Sequence, residues 1–487
     1  MRIIMSRELG AEALGVYQIA LSFFYVFATV VSSGIPVVIS HLSAKYKVTK
    51  DKNAEGSAVC ASLVIGFATS LLLIVLIFCF KNLITKATTT ECFSIIVSLS
   101  PSIFFTAIYM SFRGALWGKQ KHIANCVAEI CEQLLRFALF LFFLTTAPSP
   151  MKGAVRAGAC YSVSCMASMA FAIIYYFKTG GVLKSPKGYF KKILKSSLPI
   201  TIMRLVSSIL QPLIAIIIPF ELQCAGYTES EAIGLFGIVT GMTLPLLSLP
   251  STLIGSYSTA LVPEISTSIA KNDKSELKKQ IETALSLTMF LCFCFVPIYI
   301  GMGQEIGSFL FNNATSGYLL TKACFVMIPT GINDISQSIL SSIDLESKTF
   351  KNYLIGNAFL IVSLFVLPRW FGIDAMILGS GISITISCIL NVRLIEKQID
   401  ASGLVLKPLA LMSIFSVACG MLGKSITNLL KCLLPQFFTL ALSCLATLIC
   451  FVLLCLIFDI ISIKTIFDSL KKFKETKILK KKSKEHI

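Results

Sequence analysis

The chain has 487 residues, 55% of them hydrophobic and only 14% charged, with a mean hydropathy of +0.82. Soluble domains carry roughly 25% charged residues, so an ordinary soluble domain is excluded. The formal net charge of +18 does not point to nucleic acid, because the lysines gather in alternate short connections and in the tail, as a membrane-topology signal does.

Apolar runs of about 20 residues recur along almost the whole length, which predicts an all-α polytopic membrane protein. The alternation that a membrane β-barrel needs is absent. Thirteen spans are expected, at about 14–38, 58–80, 93–112, 126–147, 154–177, 197–219, 233–261, 283–303, 318–342, 353–368, 373–392, 408–427 and 434–461. The connections 41–57, 113–125, 178–196, 263–282, 343–352 and 393–407, with the tail from 462, hold 31 Lys or Arg, against 7 in the N-terminal segment and the other six connections. That bias puts the first group, including the C-terminal tail, in the cytoplasm of a multi-pass plasma-membrane protein. The nine lysines from Lys464 to Lys484 either anchor the topology or adhere to anionic headgroups of the membrane lipids.

Residues 34–47, GIPVVISHLSAKYK, resemble 261–274, LVPEISTSIAKNDK, at an offset of 226, and Pro101 and Pro329 match at 228. The chain therefore reads as two homologous halves, a common build for transporters. The expected domains are an N-terminal lobe at 1–177, a basic cytoplasmic linker at 178–196, a C-terminal lobe at 197–395, two additional helices at 396–461 and a Lys-rich tail at 462–487. Subtracting the offset from the span at 197–219 places its counterpart before residue 1, so a first helix of about thirty residues is expected to be missing, the alternative being a genuine thirteen-helix protein. Tyr189 to Leu194 could form a short amphipathic helix on the membrane.

Three polar stripes interrupt the apolar spans. In the first, Asn125, Glu129, Glu132 and Arg136 recur at i, i+4, i+7 and i+11, one face of a helix. The opposite face carries Val127, Ile130, Leu134, Phe137 and Leu141, suited to lipid or neighbouring helices. An isolated charge at mid-membrane costs on the order of 3 kcal/mol even on a lenient scale, so three in one helix need partners or a wet cavity. Glu132 and Arg136 have the favourable acid-first spacing for an internal ion pair. Either that pair is the whole story, or the stripe also faces a cavity through which a charged substrate group passes. The second stripe is Arg204, Ser207, Ser208 and Gln211, in a span interrupted by Pro199, Pro212 and Pro219. The third is Asn333, Asp334, Gln337 and Ser341. Gly234, Gly237 and Gly241 share a face suited to close helix packing.

Enzyme chemistry finds no foothold. His41, His122 and His486 lie in connections or the tail, and no metal cluster, phosphate-binding loop or nucleophile–base pattern is visible. No cofactor is implied. The seventeen cysteines behave as small hydrophobes, and Cys126/Cys131 and Cys292/Cys294 lack zinc-ligand spacing. The N-terminal MRIIMSRELG lacks the apolar core of a cleavable signal peptide.

Six stretches then carry a family resemblance: RELGAEALGVYQIALS (7–22), SSGIPVVISHLSAKY (32–46), RGALWGKQK…EICEQLLR (113–136), LPITIMRLVSSIL (198–210), GLFGIVTGMTLPLLSLPS (234–251) and ALVPEISTSIAKND (260–273). Together they resemble the stage V sporulation protein B-like flippases, polysaccharide-type exporters of the multidrug/oligosaccharidyl-lipid/polysaccharide (MOP) superfamily. The resemblance implies fourteen helices in two pseudo-symmetric halves, with the first helix preceding the motif that here runs from Arg7 to Tyr17. It also implies export or flipping of a lipid-linked oligosaccharide, such as an undecaprenyl-pyrophosphate-type peptidoglycan precursor for the cell wall or spore. Lipid II flippases of the MurJ-type branch line a central cavity with arginines. Where one is expected on the seventh or eighth helix this chain has Thr240 and Gly241, and Arg204 is the candidate replacement.

On this reading two lobes work by alternating access. Arg136 and Arg204 would grip pyrophosphate, since guanidinium meets phosphate oxygens bidentately. Glu129, Glu132 and Asp334 would hold the arginines or bind a coupling proton or cation, with Asn125, Gln211 and Gln337 as further substrate contacts. The alternatives are a drug or metabolite:cation antiporter on the same scaffold and a non-transporting envelope-biogenesis scaffold.

Overall fold

The computed structural model describes residues 1–271, 273–399, 403 and 406–458, so the Lys-rich tail lies outside the described residues. Among them the regular structure is entirely helical. Two compact units divide the chain, Met1–Gly241 and Met242–Ile487.

The first unit contains α1 (Arg2–Ser32), α2 (Gly34–Thr49), α3 (Lys52–Cys79), α4 (Lys81–Ala87), α5 (Thr90–Gly118), α6 (His122–Thr145), α7 (Pro150–Lys178), α8 (Phe190–Cys224) and α9 (Glu229–Gly237). The second contains α10 (Leu244–Leu247), α11 (Leu249–Ala270), α12 (Lys274–Phe311), α13 (Ala314–Ala323), α14 (Met327–Ser342), α15 (Glu346–Val366), α16 (Pro368–Phe371), α17 (Asp374–Ile399), α18 (Leu406–Leu430) and α19 (Gln436–Ile457). Several starts are fixed by side chains that accept from the first free backbone N–H groups. Asp51 caps α3, Thr89 caps α5, Ser149 caps α7 ahead of Pro150, and Asp273 caps α12. Thr228 and Glu231 form a reciprocal capping box on α9.

Among the described residues eleven helical stretches are long and apolar enough to cross a membrane. Over the described residues each of the thirteen expected spans falls largely on helix, and the two outside the eleven are informative. Helix α6 carries Glu129, Glu132 and Arg136 in its interior. The span at 318–342 is interrupted by a 3₁₀ turn at Cys324–Val326. Pro329 accounts for that interruption: it lacks an N–H and its ring crowds the carbonyl of Phe325 four residues back. Other boundaries differ too. The span at 14–38 runs back to Arg2 and breaks at Ser33, and the span at 233–261 passes through a π-helical turn at Ile238–Thr243. Tyr189 to Leu194 is not a separate surface helix. Tyr189 is the N-cap of α8 and the rest is its first turn.

In the first unit, α5 packs on α2, α3 and α7, while α1 packs on α5, α7, α8 and α9. The α1–α9 contact is close enough to require glycine. A Cβ on Gly15 would lie 2.1 Å from the Ile233 carbonyl oxygen, and one on Gly237 would lie 2.4 Å from that of Ala11. In the second unit, α14 packs on α11, α12 and α17, α15 packs on α17, and α18 and α19 pack on α12. The order α2–α5–α7–α6 is thus repeated as α11–α14–α17–α15, the packing counterpart of the sequence repeat.

Candidate functional site

Arg136 is buried on α6, yet its guanidinium has a partner on nearly every side. One terminal nitrogen pairs with the Glu132 carboxylate one turn earlier. Its Nε donates to Ser164 Oγ on α7 at 2.8 Å. The Ser164 hydroxyl hydrogen is directed to the Tyr161 carbonyl at 2.7 Å, which leaves an oxygen lone pair for the arginine. The guanidinium also lies over the Tyr161 ring, 3.9 Å from its centroid, a cation–π contact that strengthens away from water. Tyr161 is held in turn by the edge of Phe24 on α1. Cys165 Sγ lies 3.7 Å from the Glu132 carboxylate.

A second ion pair sits toward the α5–α6 turn. Arg113 on α5 meets Glu129 at 2.7 Å and stacks over Trp117, 4.5 Å from the ring centroid. Asn125 is buried and its amide donates to the Arg113 carbonyl at 3.4 Å. Its own Oδ1 has no protein partner. The polar stripe of α6 is therefore resolved into two ion-paired knots, and the apolar face opposite it is exposed at Val127, Ile130, Leu134, Phe137 and Leu141.

The other expected residues are placed differently. Arg204 and Gln211 are exposed on α8 and make no ion pair or hydrogen bond to the α6 set among the described residues. Ser207 and Ser208 bond back to carbonyls of their own helix. On α14, Asp334 and Gln337 are half-buried, with the Ser251 hydroxyl as a hydrogen-bond partner of Asp334. Asn333 instead joins a ladder of side-chain amides. Asn391 on α17 donates to it at 2.9 Å, and Asn352 on α15 donates to Asn391 at 2.8 Å. Gly234, Gly237 and Gly241 meet α1, as close packing requires.

Tyr161, Ser164 and Cys165 were missed as site residues in the sequence. Their spacing of three and four residues does put them on one face of α7. Arg113 was assigned to a basic turn and Arg2 to the N-terminal segment. Arg2 donates to the carbonyl of Thr240 at 3.0 Å, within the π-helical turn.

Comparison with known proteins identifies the class. The solved structure of a MATE-family multidrug resistance transporter of the MOP superfamily in an inward-facing conformation superposes with a TM-score of 0.69 at 14% identity, covering 82% of this chain and 93% of that one. The lipid II flippase MurJ in an inward closed conformation gives 0.68 at 17% identity, covering 94% and 96%. This is a multi-pass membrane protein with the fold of those MOP-superfamily structures.

Residues 1–269 match the family described as polysaccharide biosynthesis protein. The chain belongs to that family. It is 24% identical to stage V sporulation protein B of Bacillus subtilis (strain 168), over 87% of this chain and 85% of that one. It is 23% identical to sporulation protein YkvU of the same organism, over 59% and 65%.

Proposed function

We propose that the protein flips a lipid-linked saccharide, a cell-wall or spore peptidoglycan precursor or another polysaccharide repeat unit, across the plasma membrane by alternating access. The observation that carries this reading is Arg136: a guanidinium buried in a membrane helix and held by one carboxylate, one hydroxyl and one ring. A buried pair of this kind contributes little net stability, because desolvation offsets the attraction. An ionisable group within a membrane span marks a substrate or ion pathway far more often than a packing need. Family membership and the relatives' names, which include a lipid II flippase and sporulation proteins, support the saccharide cargo.

Arg204 supplies an exposed guanidinium, without an ion-pair partner among the described residues, that can meet a pyrophosphate directly. Arg136 engages when phosphate oxygens replace Glu132, and the released carboxylate then takes a coupling proton or cation. Glu129 guards Arg113 in the same way, with Asn125 and Gln211 as neutral contacts. In the second unit Asp334 is the candidate coupling carboxylate and Gln337 a neutral contact. The prenyl tail stays in lipid, and the basic connections and C-terminal tail face the cytoplasm.

The test is flipping of a lipid-linked saccharide in reconstituted vesicles. Arg136→Ala and Arg204→Ala are expected to abolish flipping while Arg204→Ala inserts normally. Normal flipping by both well-inserted variants would remove the assignment. Cation-driven drug efflux without saccharide flipping would favour the antiporter reading.

A further inference from the structure

At one end of the second unit an open cleft of 560 Å³ lies between four helices, with Gln304, Tyr318, Lys431 and Gln436 exposed along it. It is lined by Gln304 and Glu305 of α12, Thr315 and Tyr318 of α13, Lys431 just beyond α18 and Gln436 of α19. Its size falls within the roughly 300–1,000 Å³ of small-molecule sites. Its chemistry differs from that of the surrounding apolar helices in two respects.

The first is charge balance. Lys431 Nζ lies 2.8 Å from the Glu305 carboxylate, so the one cation and one anion of the lining cancel. The next charges outward are also paired: Lys322, over the Tyr318 ring, bonds to Asp374. A phosphate or a free cation would have to break one of these pairs to bind. The second respect is unused hydrogen-bonding capacity. Gln304 and Gln436 are exposed and Thr315 is half-buried, and among the described residues their side chains take no protein partner, so a ligand would displace only water from them. Two carboxamides and a hydroxyl offer donors and acceptors together, beside the carboxylate of the ion pair and the Tyr318 ring. Alternating donors and acceptors with no net charge complement a neutral polyhydroxylated ligand.

We propose that this cavity is a saccharide-binding site for a neutral glycan of about disaccharide size. Its walls belong to the connections around 304–317 and 428–433, which carry only Lys431 as a basic residue. On the charge bias of the connections they face away from the cytoplasm. The inference deepens the flippase reading by giving the saccharide a holding point on the exit side, and it rests on that reading for its orientation alone.

The test uses the full chain in lipid nanodiscs free of glycoside detergents. Equilibrium dialysis is run with labelled maltose and N,N′-diacetylchitobiose, and with pyrophosphate as the anionic control. Saturable binding of a disaccharide but not of pyrophosphate is expected. Gln436→Trp, which fills the cavity without touching the ion pair, and Gln304→Ala are each expected to weaken it about tenfold, the scale of one or two lost hydrogen bonds. If Gln436→Trp does not give monodisperse protein, Gln304→Ala decides. Absence of saturable disaccharide binding, unchanged binding in the variants, or preferential pyrophosphate binding each overturns the proposal. Binding does not require transport, so a protein that binds disaccharide yet flips nothing would sink the flippase reading and leave this site standing.

Discussion

Helices α6 and α7 of the first unit and α15 and α17 of the second occupy equivalent places in the repeated packing order, but they are joined by opposite chemistry. The α6–α7 pair is held by Arg136, Glu132, Tyr161 and Ser164. At an offset of 226 the positions of Glu132 and Arg136 hold Ala358 and Val362. The α15–α17 pair is held instead by close backbone approach, with the hydrogen bond from the Asn352 amide to Asn391 beside it. Here a Cβ on Gly356 would lie 2.0 Å from Ser387 Oγ. A helix pair in this position can be fastened without any charge. The arginine cluster therefore exceeds what packing demands, which is why it carries the functional reading.

Removing one member of the charged cluster gives the largest expected effect. Glu132→Ala leaves Arg136 buried without its carboxylate and is expected to cost about 3–5 kcal/mol, read as lost monodispersity and a lower unfolding temperature in detergent. Adding Arg136→Met should recover the fold but not flipping. If the double variant flips normally, the contrast between the two helix pairs has no functional content. Gly356→Val tests the other pair. It should cost about 1–3 kcal/mol through overpacking, whereas Ile130→Val, 226 residues earlier and 57% exposed, should leave the unfolding temperature unchanged. Asn391→Leu severs the amide ladder and should destabilise by about 1 kcal/mol, the scale of interhelical hydrogen bonds in membranes, with flipping rates kept. A large transport loss there would move the substrate path toward the second unit. The smallest effect is expected from Arg113→Gln, whose half-exposed partner Glu129 limits the pair to about 1 kcal/mol or less.

The helical architecture was legible because hydropathy of this strength has few solutions in a membrane. The Glu132–Arg136 pair was legible because both residues lie on one helix at a fixed spacing. Ser164 and Tyr161 were not, since their approach depends on how α7 is turned against α6, and periodicity within one helix does not report that. The same limit hid the Asn333–Asn391–Asn352 ladder, whose members come from three helices. Gly10 shows a different limit. Its φ of +70° breaks the regular path of α1, inside the motif from Arg7 to Tyr17. A lone glycine between Glu8 and Glu12 reads equally as packing or as a bend.

Helix α12 has 38 residues, which at 1.5 Å of rise makes it about 57 Å long, against a hydrocarbon core of about 30 Å. Its far end is clamped where Gly301 abuts Gly420, Gly303 abuts Thr321 and Gly307 abuts Gly317. Its opening stretch, from Lys274 to Glu282, is charged and mostly outside the core. The helix is packed from Ile281 to Phe311 and leaves only about its first two turns outside the core, so a displacement of the packed stretch is carried rigidly to the exposed, charged tip at Lys274. Cross-linking probes for substrate-driven motion belong at that tip, where an added side chain disturbs no packing.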